Sequence, residues 1–262
     1  LSKDEYLDKK TGEVKPKKKS ESRYQSPKSV RKSINRLMDL IRCNATDSAK
    51  CKWLTVTYEE VMTDGKQAFL DAKLFLRRFK RYLAKQIDLT VGQKSFQYIT
   101  VAEPQGESHG NSWHLHILLI FEDTAPFIAN ETIAEIWGYG ITSTHKVFDA
   151  DGLALYFKAY LSDVEYEDDN ADSENKPATV EKIVDGVPKQ FIKGERLKYY
   201  PTGMNLYSSS RGMKRPEVEE MTNAEAMERV GDAELVYRET YSIGADDKGN
   251  LIDKRYYKKK GK

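Results

Sequence analysis

Two histidines two residues apart, His114 and His116, sit in the run Trp113-His114-Leu115-His116-Ile117-Leu118-Leu119-Ile120-Phe121, which otherwise has the composition of a buried strand. Side chains alternate faces along a strand, so the two imidazoles share one face while Leu115 and Ile117 occupy the other. An arbitrary His-x-His is most simply a pair of structural histidines. Here Glu103 changes the balance. It ends a second strand-like run, Phe96-Gln97-Tyr98-Ile99-Thr100-Val101-Ala102-Glu103, and the polar stretch 104–112, with Gly106 and Gly110, can fold the two runs into an antiparallel pair. Glu103 would then stand beside the histidines. Two neutral imidazoles and one carboxylate leave open coordination positions and suit Mn2+ or Mg2+ bound together with a phosphate oxygen. A cation so held polarises a scissile phosphate.

A second constellation lies in Asp151-Gly152-Leu153-Ala154-Leu155-Tyr156-Phe157-Lys158-Ala159-Tyr160-Leu161. Its apolar spacing is helical, Asp151 is a candidate N-cap, and Tyr156 and Tyr160 are four residues apart on one helix face. In isolation such a pair reads as core aromatics. Beside a metal site the two are candidate nucleophiles, since a phenolate attacks well once a neighbouring group or cation assists its ionisation.

In this order the motifs resemble those of the HUH-type rolling-circle replication initiators of plasmids, phages and small single-stranded DNA viruses. The strand Lys52-Trp53-Leu54-Thr55-Val56-Thr57-Tyr58 looks like the first motif, Glu103 with Gly110 and the histidine pair like the second, and Tyr156 to Tyr160 like the third. The stretch Tyr207-Ser208-Ser209-Ser210-Arg211-Gly212-Met213-Lys214-Arg215-Pro216 is similar to a segment common in initiators from Gram-positive bacteria. The resemblance covers roughly residues 50–216. It implies Glu103, His114 and His116 as metal ligands and a tyrosine that attacks DNA, leaving a 5′-phosphotyrosine and a free 3′-hydroxyl. Paired tyrosines resemble the two-tyrosine phage initiators. If one acts, the spacing from Asp151 and Gly152 favours Tyr156, as in single-tyrosine viral initiators. Members usually carry a lysine three residues after the nucleophile, where this chain has Ala159 or Asp163. Either another lysine assists, Lys146 being a candidate, or the third motif has a different register.

The elements that must position these groups follow from periodicity. A helix is expected over 26–42, with Val30, Ile34, Leu37, Leu40 and Ile41 on one face, and a longer one over 66–86. The second carries Arg77, Arg78, Lys80, Arg81 and Lys85 on its polar side, a solvated face that can also track a DNA backbone. After the strand pair come a helix near 129–137, a strand near 141–148 and the tyrosine helix. The order strand, helix, two strands, helix, strand is the α+β split βαβ or ferredoxin-like plan, an antiparallel sheet with helices packed on one face and the other free for metal and single-stranded DNA. The pieces Phe191-Ile192-Lys193 and Asn205-Leu206-Tyr207 are expected to complete the sheet. Residues 235–241 and 251–257 read as a terminal hairpin.

Composition sets the remaining expectations. A chain of 262 residues with net charge +2 is not basic enough to signal nucleic acid by its sum alone. The basic runs 9–19 and 254–262 and the acidic run 165–174 are expected to be solvated. The organisation expected is a basic, disordered arm at 1–25, a nuclease domain at 26–216 with an acidic loop at about 164–178, and an extension at 217–262. Lys146, Lys158, Arg211, Lys214 and Arg215 are candidate DNA contacts. Two cysteines, no secretory signal and no membrane-spanning apolar run point to a reducing cytoplasm and no membrane partner. No Gly-x4-Gly-Lys-Ser/Thr loop is present, so a host helicase is expected to open the origin DNA and a host polymerase to extend the nick. A tyrosine transposase or mobilisation relaxase would share the chemistry. A non-catalytic single-stranded nucleic-acid-binding module, stacking bases on Trp113, Tyr98 and Phe96, is the reading of another class.

Overall fold

The computed structural model describes residues 2, 4–17, 22–106, 109–147, 152–153, 156–157, 161–165, 179–184, 187–243 and 250–258. Its first element departs from the solvated arm expected at 1–25. β1 (Glu5–Leu7) and β2 (Val14–Pro16) pair antiparallel. The turn between them is closed by Lys15, whose Nζ reaches Asp8 at 2.7 Å, and by Gly12 in the left-handed region at φ 72°. Arg23 then fastens the segment to the body, its Nε donating to the Met204 carbonyl at 3.1 Å.

Helix α1 (Pro27–Asn44) starts on a proline, whose missing N–H costs nothing at that position, and buries Val30, Ile34, Leu37, Leu40 and Ile41. Strand β3 (Cys51–Thr57) follows. Helix α2 (Gly65–Lys85) is capped by Asp64, which accepts from the N–H groups of Lys66 and Gln67, and buries Ala68, Ala72, Phe75, Leu76, Phe79 and Leu83. The short helix α3 (Val91–Lys94), which the periodicity did not announce, is held by a capping box between Thr90 and Gln93. Strands β4 (Phe96–Pro104) and β5 (Trp113–Phe121), helix α4 (Asn130–Trp137) and strand β6 (Thr142–Lys146) complete the expected series.

The main sheet has the order β10-β4-β5-β3-β6, where β10 is Tyr207–Ser209, and every pairing is antiparallel. Order and connection together are the split βαβ plan. Helices α2 and α4 cover the face that carries Leu54, Val56, Leu115, Ile117 and Leu119; Phe75 meets Trp137, and Phe79 meets Phe96, at ring separations of 5.9 and 5.7 Å. The connection from α4 to β6 passes so close to β3 that a Cβ on Gly140 would lie 2.4 Å from the Glu59 nitrogen, and Gly140 sits at φ 149°. Only glycine fits there.

Two expectations are corrected. The histidine-bearing face is not open, because Trp53, Ile99, Val101 and Leu118 on it are buried and Phe157 stacks on Trp53 at 4.8 Å. Phe191 does not extend the main sheet either: β7 (Val164–Glu165), β8 (Thr179–Val184) and β9 (Val187–Ile192) form a separate three-stranded sheet, β7-β9-β8.

The chain divides into two compact units, Leu1–Pro216 and Glu217–Lys262. The second contains a helix at Asn223–Val230, capped by Thr222 and Glu225, and the hairpin β11 (Glu234–Ile243) and β12 (Asn250–Lys258). On it Asp253 accepts from both Arg238 and Arg255.

Candidate metal centre

Strand register builds the centre. Glu103 on β4 lies directly opposite His114 on β5, and His116 lies between Val101 and Thr55. The turn that aligns β4 with β5 depends on Gly106 and Gly110 at φ 88° and 62°, where β-carbons are disfavoured. Glu103 Oε2 is 2.8 Å from His116 Nε2 and 3.1 Å from His114 Nε2. Glu103 and His116 are buried, and His114 is largely so.

Three observations fit this group to a divalent cation. Donor atoms bound side by side at about 2.1 Å from an octahedral ion stand ~3 Å apart, and the two Oε2 separations match that spacing. His114 Nε2, although 3.1 Å from the carboxylate, lies outside hydrogen-bonding geometry and is a buried polar atom with no partner. Burial pushes the His114 pKa down to about 4 and that of His116 well below its usual value, His114 and His145 adding to the shift of the latter. Both imidazoles are thus neutral donors near pH 7. At the far side of His116, Nδ1 is 3.3 Å from Trp53 Nε1 and 3.1 Å from Thr55 Oγ1. The indole can only donate, so in this arrangement Nδ1 accepts and Nε2–H donates to Glu103. A ligand at Nε2 requires the proton on Nδ1, where Thr55 Oγ1 can accept it.

The structure adds a residue that the sequence reading missed. Arg196, buried in a 3-10 turn at Glu195–Tyr199, forms an ion pair through Nη1 with Oε1 of Glu103. Tyr200, directly after the turn, donates its hydroxyl to the Ala102 carbonyl at 2.9 Å, beside Glu103. The turn is tied in turn to the end of the tyrosine segment. The Arg196 N–H donates to the Ser162 carbonyl at 3.2 Å, and buried Asp163 accepts from the Gly194 N–H at 2.7 Å and pairs with Lys182.

Tyr156 is brought to the centre. Gly152, Leu153, Tyr156 and Phe157 are helical, Leu153, Phe157 and Leu161 are buried, and half-buried Tyr156 places its ring 5.9 Å from that of His116 and 4.9 Å from Trp53. Tyr160 and Lys158 lie outside the described residues. Lys146 ends β6 opposite Lys52, at one edge of the sheet, and lines a groove of about 630 Å³ with Lys52, Phe127 and His145. Arg211, Lys214 and Arg215 are exposed beyond β10, at the other edge, where both the N–H and the carbonyl of Lys214 are bonded to Asn44. The structure therefore does not gather these cations. The aromatic platform expected of a pure binding module is also absent among the described residues. Trp113 is buried with its indole N–H on the Thr63 carbonyl, and Phe96 and Tyr98 are half-buried against the core.

Residues 51–165 match the model of the replication-associated protein ORF2 family. The match runs from β3 to the end of the tyrosine segment, and so contains all three candidate ligands and both tyrosines. It supports a replication-associated protein whose partner is DNA. No curated protein and no solved structure matches the chain. Among the described residues no helix is long and apolar enough to cross a membrane.

Proposed function

We propose that the protein is an HUH-type endonuclease that initiates rolling-circle replication of a plasmid or phage-like element, by nicking and later rejoining single-stranded origin DNA. The observation that carries this reading is the Tyr156 ring against His116 in a buried Glu103-His114-His116 cluster. A divalent cation, Mn2+ or Mg2+, held by those three side chains supplies charge to polarise the scissile phosphate. The Tyr156 oxygen attacks phosphorus, the bond to the 3′-oxygen breaks, the phenolic proton is given up, and the departing oxygen gains a proton to become a 3′-hydroxyl. The 5′ end stays esterified to the tyrosine until a 3′-hydroxyl reverses the step. Tyr160, four residues on, is the second nucleophile of this scheme, and a host helicase and polymerase act on the opened template. The match to a replication-associated family favours an initiator over a transposase or relaxase of the same chemistry.

The test is covalent capture. The full chain is incubated with Mn2+ and a random-sequence pool of single-stranded DNA, and denatured products are analysed by mass spectrometry. A nucleotide on Tyr156, lost in Tyr156→Phe, is the expected result. An adduct confined to Tyr160 would reverse the assignment, and no adduct at all would leave a DNA-binding module without cleavage.

A further inference from the structure

The ion pair between Arg196 and Glu103 changes the charge of the centre. Two neutral imidazoles contribute no charge, and the carboxylate is matched by a guanidinium that cannot lose its proton in a protein. A cation entering beside Oε2 therefore meets a donor set of net charge near zero. Buried charge is tolerated only when it is compensated, and a dication beside a buried guanidinium is not. The missing charge must come with another ligand. Arg196 itself shows what that ligand is, because its Nε–H is buried without an acceptor among the described residues. One anion carrying several oxygens can bind the open positions of the cation and satisfy that donor. A nucleic-acid phosphodiester has this chemistry.

We infer that Arg196 makes cation loading depend on the DNA phosphate, so that the centre holds its divalent ion weakly in the free protein and tightly only in the protein–DNA complex. This inference rests on the reading of Glu103, His114 and His116 as the ligand set. Arg196 acts here as a positioning and charge-setting residue. It holds Oε1, leaves Oε2 to the histidines, and cancels the charge that would otherwise capture an ion without substrate. Coupling of this kind is reciprocal, so the ion tightens DNA to the same degree as DNA tightens the ion.

The experiment measures Mn2+ affinity by electron paramagnetic resonance of the free ion, on the full chain in its Tyr156→Phe form so that DNA is not consumed, with and without a single-stranded oligonucleotide pool. Titration of the pool alone corrects for ions bound by DNA itself. DNA should tighten Mn2+ binding by roughly tenfold or more. Arg196→Gln keeps a donor for Glu103 but removes the charge; it should bind Mn2+ more tightly without DNA and show a smaller DNA effect. Arg196→Lys should behave as the parent. Equal Mn2+ affinity with and without DNA in the parent overturns the inference whatever the variants do, and so does an Arg196→Gln protein that binds the ion no more tightly than the parent. His116→Ala separates the two levels of the argument: if it binds Mn2+ as the parent does, the ligand assignment itself is wrong and the inference falls with it.

Discussion

Both imidazoles are kept neutral by burial rather than by a neighbouring cation, and this sets how the centre responds to acid. His114 has its pKa pushed from 6.5 to about 4, so protons compete with an ion for its nitrogen only in acid. Mn2+ affinity measured calorimetrically should be nearly flat from about pH 8 to 6 and fall steeply below about pH 5. A midpoint near 6.5 would mean that His114 is solvated. Stability follows the same sign. Between 6.5 and about 4 the unfolded chain binds a proton that folded His114 refuses, so stability falls as pH falls, by up to ~1.4 kcal/mol per pH unit for this one group. Denaturant unfolding across that window checks it, and His114→Gln should flatten the slope. The triad was legible in the sequence because one period-2 run carried both histidines and a second ended in Glu103. Arg196 was not. It lies far along the chain in a 3-10 turn without periodicity, and a lone arginine in such a stretch looks like any surface cation.

At the scale of elements, the tyrosine segment is held at both ends, by the stack of Phe157 on Trp53 and by the bonds from Ser162 and Asp163 to the Arg196 turn. Phe157→Ala removes a fully buried ring and should cost about 3–5 kcal/mol, with loss of the DNA adduct because Tyr156 is no longer seated. An unchanged adduct yield in a protein of lowered melting temperature would show that the stack stabilises without positioning. Asp163→Ala leaves the Gly194 N–H and Lys182 without their buried acceptor and should cost roughly 3 kcal/mol in denaturant unfolding. A cost below about 1 kcal/mol would show that solvent replaces it. The long amphipathic helices and the three central strands were readable because one face of each is apolar at the correct period. The sheet of β7, β8 and β9 was missed although Asp185-Gly186, a dipeptide favoured in two-residue hairpin turns, stands between β8 and β9. The acidic run just before it drew the reading towards a solvated loop. The β1–β2 hairpin escaped notice because each strand is three residues long and largely exposed, so hydrophobic alternation has nothing to report.

For the molecule as a whole, residues 214–222 are exposed and belong to no helix or strand, and the two compact units meet within that stretch of chain. Limited trypsin digestion should cut there first, at Lys214 or in the stretch that follows, and the larger fragment should bind Mn2+ as the full chain does. Early cleavage inside 51–104 instead would count against this division. Within the larger unit, the pinning of β5 between β4 and β3 has a kinetic consequence. If β5 slid by one residue, Leu115 would face Glu103 and both imidazoles would turn beneath α2 and α4. The centre thus exists at a single alignment of strands distant in sequence. An ion supplied with DNA during refolding can be captured only by chains whose central strands have already zipped correctly, and by mass action it would draw the population toward that alignment and away from the slipped ones.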